Sequence, residues 1–172
     1  LTVTVVGSIM EVSRVSDDLK TVNEVNSAKQ RFAINFRGSV HDRSILVRDI
    51  ALAPSRSDMQ GSIADIRKLE ADYAASAAPL DDFFTDEIAD LPQETEILSR
   101  IQAVEAKTLP IVEAIIRAGE QGEFELANQL VMTEARPAFV EWLGVINEFI
   151  DLQEALNQEL GASVSQSVSQ FI

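Results

Sequence analysis

The 172-residue sequence contains no cysteine and only one histidine, His41. The absence of cysteine excludes disulfide bonds, thiolate metal sites, cysteine nucleophiles and the Cys-x-x-Cys-His attachment site of a c-type haem. A di-iron helical protein needs paired Glu-x-x-His motifs, and no glutamate stands three residues before His41. We therefore predict neither a metal nor a cofactor.

Basic residues are also scarce, with 14 lysines and arginines against 28 acidic residues and a net charge of −14. A surface field of this sign disfavours nucleic acids and anionic membrane surfaces as general partners. It still allows a small anion to bind, because a local group of arginines can reverse the field inside an acidic protein.

The motifs of several enzyme classes are missing as well. The sequence has no Gly-rich phosphate-binding loop and no nucleophile elbow, so no enzymatic activity is predicted. No run of about 18 apolar residues is present, so no transmembrane span is predicted. Residues 1–10 are nonetheless almost all apolar or small, and the last apolar pattern is still running at residues 165–172. A fraying terminus explains these ends, and so does a domain cut from between two membrane helices.

What the sequence does contain is a helical repeat of apolar residues, in alternating steps of four and three, without extended period-two alternation. Pro54 is expected to end the first helix, and Gly119 to cap the third. We predict a single domain over residues 1–172, with helices over about residues 3–53, 57–89, 92–118 and 123–170. Short connections imply antiparallel neighbours. The predicted fold is all-α, an antiparallel up-down-up-down four-helix bundle with long first and last helices.

Polar residues interrupt this apolar pattern most clearly in the segment 29–49. Its helical projection places Arg43 inside the apolar arc, and Arg37 and His41 at the edge of that arc. A cation on a core face is costly unless it is paired or binds an anion. This segment is therefore the first candidate for a binding site.

Counting residues from the turns, at about 1.5 Å per residue, aligns the other helices with this segment. Polar residues of all four helices then fall in one layer that is rich in hydrogen-bond donors. Such a layer suits a small carboxylate, which arginine can bind in a bidentate manner. The candidate ligand-binding residues are Arg37, His41, Arg43, Tyr73, Thr108, Thr133 and Arg136.

Ordinary structural roles are open for the same residues. Arg43 and Glu70 can form a buried ion pair if their remaining hydrogen bonds are met. Thr108 can bond back to its own helix, and Tyr73 can be a core residue. Arg37, His41 and Arg136 can simply lie on a solvated surface.

Three segments resemble the four-helix-bundle sensor domain of bacterial methyl-accepting chemotaxis proteins. They are QRFAINFRGSVHDRSILVRD, LEADYAASAAPL and ARPAFVEWLGVINEFIDLQEA, and the resemblance covers about residues 15–170. It implies a periplasmic ligand-binding domain of an inner-membrane receptor, held between two flanking membrane helices. It also implies a homodimer that binds an organic acid or amino acid and signals through small shifts of the last helix.

The resemblance leaves two ligand geometries open. A ligand at a dimer interface would involve Arg37, Arg43 and Thr133, whereas a ligand within one bundle would involve Arg136, Tyr73 and Thr108. Similar modules precede sensor histidine kinases and cyclases, so the output is open too. A rival interpretation is a structural or dimerising bundle without a ligand, in which buried ion pairs fix the register.

Overall fold

A computed structural model of the chain describes residues 13–17, 19–85 and 92–169. These residues are helical except at 53–55 and 122–123, and they contain no strand, which confirms the all-α class. Residues 13–17, 19 and 20 are helical ahead of the first named element. The elements are π1 (Thr21–Asn26), α1 (Ser27–Leu52), α2 (Arg56–Thr85), α3 (Pro92–Gln121), α4 (Phe124–Leu130), π2 (Val131–Ala135) and α5 (Arg136–Ser169).

The break between α1 and α2 follows from Pro54, which disfavours helical geometry in the residue before it. Ala53 is extended, with φ −62° and ψ 131°. The Ser55 hydroxyl then donates to the Asp58 carboxylate at 2.6 Å and accepts the Asp58 backbone N–H at 3.4 Å. This side-chain cap starts α2 at Arg56, one residue before the predicted start at residue 57.

The end of α3 differs from the prediction, because the capping glycine is Gly122 and not Gly119. Gly122 has φ +80°, and its N–H donates to the Gly119 carbonyl at 2.9 Å. The Glu123 N–H donates to the Ala118 carbonyl at 2.8 Å, which completes a Schellman-type end. Gly119 has another role, since a Cβ there would lie 2.7 Å from Met59 Cε. The missing Cβ leaves room for the side chain of Met59.

The last helical stretch changes its winding at π2, immediately before Pro137. A proline inside a helix has no N–H to donate, and its ring clashes with the carbonyl four residues earlier, here that of Thr133. Thr133 lies within the wider π-helical turn, Val131–Ala135. Short π-helical insertions of this kind are common at functional sites.

The core lies around α1, which contacts α2 and α5 most extensively and also touches α3 and α4. Its buried apolar stripe follows the four-three spacing that the sequence predicted, because each helix buries one face. No helix in the described ranges combines the length and the hydropathy needed to cross a bilayer. The core includes Phe36, Val40, Val47, Ile50, Met59, Ile66, Tyr73, Ile101, Ile115, Ile116, Phe139, Trp142, Ile146 and Phe149.

Candidate functional site

Arg43 is buried as predicted, with 2% of its surface exposed. Its guanidinium carbon lies 4.9 Å from the ring centre of Tyr73 and 4.7 Å from that of Trp142. Its Nε and Nη2 atoms have no hydrogen-bond acceptor among the described residues. We call Arg43, Tyr73, Trp142 and the half-buried Glu105 the Arg43 cage. Its members come from α1, α2, α5 and α3, respectively.

The electrostatics of the Arg43 cage are dominated by burial. Burial lowers the pKa of Arg43, and the nearby Tyr73, Glu70 and Glu105 oppose that shift. Burial likewise raises the pKa of Glu105, whereas the charge of Arg43 lowers it. The pKa of Tyr73 is also raised, chiefly by burial. The guanidinium is thus stabilised by two aromatic faces and by carboxylates at longer range.

The buried ion pair between Arg43 and Glu70, one of the alternatives from the sequence, is not formed. Glu70 instead accepts from Arg67 at 3.0 Å. Arg67 also bonds to Glu113 of α3, with Nη2 lying 2.9 Å from one carboxylate oxygen. Arg67 is 46% exposed and one turn from Glu70. It therefore reaches both acids without the desolvation that pairing with Arg43 would require.

The two candidate threonines bond back to their own helices. Thr108 is fully buried and donates to the Val104 carbonyl at 2.7 Å. Thr133 is exposed and donates to the Gln129 carbonyl at 2.9 Å. The structural alternative that the sequence left open for Thr108 is the bond that is observed.

Arg37 and His41 lie on the surface of α1, outside the Arg43 cage. Arg37 Nε donates to Asn147 Oδ1 at 2.8 Å and so connects α1 with α5. His41 is 57% exposed, and its Nδ1 lies 3.3 Å from the carboxylate of Asp42. The structure therefore brings together Arg43 and Tyr73, but it places Arg37, His41 and Thr133 apart from them.

Arg136 lines a separate cavity of about 360 Å³ between α1 and the π2–α5 junction. We call it the Arg136 groove. Within the described ranges, Arg136 has no ion pair or side-chain hydrogen bond. A second arginine, Arg48, lies 3.7 Å from Asp49 and is 59% exposed. The groove is lined by Ser44, Val47, Arg48, Val131, Met132, Ala135, Arg136, Phe139, Val140 and Leu143.

The Arg136 groove adjoins the Arg43 cage through the contact between Phe139 and Trp142. Phe139 lines the groove and stacks on Trp142, with ring centroids 6.2 Å apart and an interplanar angle of 19°. Trp142 in turn meets Tyr73 edge to face at 5.7 Å. A displacement of Phe139 would therefore change the packing of Trp142 in the cage.

A second buried charge lies on α1 about 21 Å from Arg43 toward the N-terminus of the helix, at 1.5 Å per residue. Lys29 Nζ lies 2.9 Å from Glu94 Oε2, and each side chain is 1% exposed. Gln153 Nε2 donates to the other oxygen of the same carboxylate, while Gln153 Oε1 has no donor among the described residues. We call Lys29, Glu94 and Gln153 the Lys29 cluster, which joins α1, α3 and α5.

Several of these residues were not identified from the sequence, although their spacing carries a signal. Steps of three and four from Phe139 lead to Trp142, Ile146, Phe149 and Gln153, all of which are buried. Seven residues back from the buried Ile101 is Glu94. Arg48 and Glu105 carry no such signal, because each lies beside the apolar stripe and not on it.

The described residues offer no cluster of three or more histidine, aspartate or glutamate side chains that could hold a metal ion. Comparison of the sequence with protein-family models and with curated proteins gives no match.

Proposed function

We propose that the chain is the periplasmic sensor domain of an inner-membrane chemotaxis-type receptor, and that it binds a small carboxylate. The all-α class and the resemblance of three segments to such domains support this proposal. The receptor would be a homodimer with flanking membrane helices. The same module in front of a histidine kinase or a cyclase would bind its ligand in the same way.

The corresponding architecture is an antiparallel four-helix bundle in which α4, π2 and α5 together form the last helix. Pairs of contacts support the antiparallel order, because residue numbers rise on one helix as they fall on the other. Between α3 and α5 the pairs are Lys107 with Glu141 and Arg100 with Glu148. Between the first and last helical stretches the pairs are Arg37 with Asn147 and Arg14 with Ser167.

The observation that carries the ligand proposal is the guanidinium of Arg136, which lies on the wall of an apolar groove and has no ion pair among the described residues. In a protein of net charge −14, a cation without an acidic partner is available to a ligand anion. The cavity of about 360 Å³ falls within the range of small-molecule sites, roughly 300–1,000 Å³. Arg48 on the same groove can share the carboxylate with Arg136.

The position of the groove also supports a role in signalling. One wall belongs to α1 and the other to π2 and the start of α5. A ligand that contacts both walls favours one relative position of the two helices, and such differential binding is what shifts a two-state equilibrium. The Phe139–Trp142 contact extends this effect into the core.

Thermal-shift measurements with a panel of organic and amino acids test the proposal. At a concentration about 100-fold above its Kd, a ligand should raise the melting temperature by about 5–10 °C. Arg136→Ala should abolish the rise, while Arg117→Ala, at another exposed arginine, should keep it. No shift with any compound in a broad panel would contradict ligand binding. Flanking apolar spans in the full-length gene would test the membrane assignment separately.

A structural bundle without a ligand is a second candidate, and the Lys29 cluster favours it. A buried ion pair shared by three helices is suited to fixing their register and adds little net stability. This candidate predicts that no compound of the panel changes the melting temperature. It also predicts that Arg136→Ala leaves every property of the protein unchanged.

A further inference from the structure

The chemistry of the Arg136 groove restricts the kind of carboxylate that it can take. Its floor and much of its rim are apolar, with Phe139, Val47 and Ala135 buried. At its edge, Met132 is 56% exposed and Val140 is 65% exposed. Exposure of large apolar side chains to water is unfavourable. These surfaces would be covered by an apolar group of a ligand.

The polar groups of the groove are confined to three residues, Ser44, Arg48 and Arg136. Both charged residues are cationic, and no acid lines the groove. The Ser44 hydroxyl already donates to the His41 carbonyl at 2.6 Å. The groove lining therefore offers an anion the guanidinium of Arg136 and that of Arg48, which lies 3.7 Å from Asp49, and it contains no carboxylate for a ligand ammonium.

Two other surface pockets differ from the groove in charge. One shares Met132 with the groove but is lined by Glu125, Asn128, Gln129 and Thr133, so it carries an acid and no cation. The other is lined by Asp42, Asp65, Asp72 and Lys68 together with three aliphatic residues. Either pocket would repel a carboxylate, which leaves the Arg136 groove as the better match in charge.

Different classes of acid would meet different costs in this groove. The ammonium of an α-amino acid would lose water without gaining an anionic partner, and this desolvation is unfavourable. A di- or tricarboxylate would place a second charge against Val140 or Phe139, at a similar cost. A single carboxylate on an apolar body meets neither penalty, because its charge faces the arginines and its body covers the exposed apolar surface.

From this match we infer that the ligand is a monocarboxylate with an aliphatic or aromatic body, bound with its carboxylate at Arg48 and Arg136. This inference rests on the proposed function and names the ligand class of the same site. Phe139 and Val140 contact the apolar body. Short-chain fatty acids and aromatic acids share this chemistry. The experiment below distinguishes these two kinds of acid.

Isothermal titration of the 172-residue protein with individual acids tests the inference. Hexanoate and phenylacetate represent the two apolar monocarboxylates, succinate and citrate the polar acids, and leucine the amino acids; phenylacetamide is the neutral analogue. We expect one or both apolar monocarboxylates to bind, with affinity about 10- to 100-fold above that of the polar acids, of leucine and of phenylacetamide.

Two variants with matched controls locate the binding. Arg136→Gln should weaken binding about 10-fold or more, while Arg31→Gln, at an exposed arginine outside the groove, should not change it. Val140→Asp places a negative charge at the groove and should weaken binding by a similar factor. Ile34→Asp makes the same change at a 52% exposed position outside the groove and should have no effect.

The possible failures are distinguishable. If only polar acids or leucine bind, and Arg136→Gln abolishes their binding, the proposed function stands and the inferred ligand class is wrong. If apolar monocarboxylates bind with equal affinity to the Arg136→Gln and Val140→Asp variants, the site assignment is wrong. If no acid binds, the proposed function itself fails.

Discussion

Two cations are buried on the same helix, and the protein compensates their charges in different ways. Lys29 has the Glu94 carboxylate at 2.9 Å, and both side chains are 1% exposed. Arg43 has no ion pair in the described chain and lies between the rings of Tyr73 and Trp142. An ion pair depends on one atom-to-atom distance, whereas an aromatic face tolerates small movements of the cation. The Lys29 cluster is therefore suited to fixing helix register, and the Arg43 cage to tolerating its change.

The sharpest test of this contrast is Glu94→Gln, which removes the charge that faces Lys29. We expect the free energy of unfolding to fall by about 3–5 kcal/mol, because a buried cation loses its buried counter-ion. Urea denaturation followed by circular dichroism measures this change. As a control, the double variant Lys29→Met/Glu94→Leu should recover most of the loss. A loss below about 1 kcal/mol for Glu94→Gln would contradict the assigned role of the pair.

A smaller effect is expected for Tyr73→Leu in the Arg43 cage. The substitution removes a cation–π contact at 4.9 Å and ring contacts with Phe36 and Trp142. We expect a loss of about 2–3 kcal/mol, because each of these three contacts contributes on the order of 1 kcal/mol. In an Arg43→Met background the same substitution should cost less. Equal costs in the two backgrounds would show that the cation–π contact contributes nothing.

Arg43→Met should change the free energy of unfolding by less than about 1 kcal/mol, because the lost cation–π contacts are offset by the removal of a buried charge. The Nε and Nη2 donors of Arg43 have no acceptor in the described part of the chain, and methionine keeps much of the apolar volume. Lys29→Met alone leaves Glu94 without its cation and serves as the contrasting measurement. A loss of several kcal/mol for Arg43→Met would place an unrecognised acceptor in the cage.

The smallest effect concerns pH and Glu105. Burial raises the pKa of Glu105 in the folded protein, so the folded state binds its proton more tightly than the unfolded chain does. The resulting stabilisation is present below the unfolded pKa, about 4.3, and is lost as the pH rises through the folded value. Glu105→Gln should remove this dependence from the unfolding free energy measured across that range. Glu148 contributes a pH dependence of the opposite sign, because a hydrogen bond from Arg100 lowers the pKa of Glu148. Glu148→Gln should remove that contribution from the unfolding free energy.

Much of the fold was accessible from the sequence because burial follows the spacing of apolar residues. The four-three pattern of α1 places Phe36, Val40, Val47 and Ile50 in the core, and they are buried. The same pattern placed Arg43 on the core face, which is confirmed. Apolar spacing predicts burial correctly where the position of a residue on its own helix determines whether it is buried.

The partners of the buried charges could not be predicted in the same way. Glu94 is in the first turn of α3, where an acid usually faces solvent at the positive end of the helix dipole. Its burial depends on Lys29 and Gln153, which are distant in sequence. The pairing of Glu70 depends similarly on Arg67, whose reach across α2 and α3 is set by side-chain exposure and not by periodicity. The partners of these charged residues are determined by contacts between helices, which apolar spacing does not predict.

The groove was only partly foreseen for the same reason. Arg136 was a candidate, but the apolar floor beneath it depends on how α1 lies against π2 and α5. The wider π turn adds a residue that a regular helical projection does not count. The sequence therefore indicated a cation at the site without indicating what surrounds it.

The π-helical turn Val131–Ala135 has a consequence for how this protein can be aligned with other sequences. A π-helical turn is equivalent to one residue inserted into a regular helix, and each α-helical residue advances the chain by about 100°. A related protein that lacks one residue here would keep the core positions of α5 while its gap fell between Leu130 and Arg136. An alignment that forbade this gap would assign groove-facing residues to the core and hide the relationship between two homologous sites.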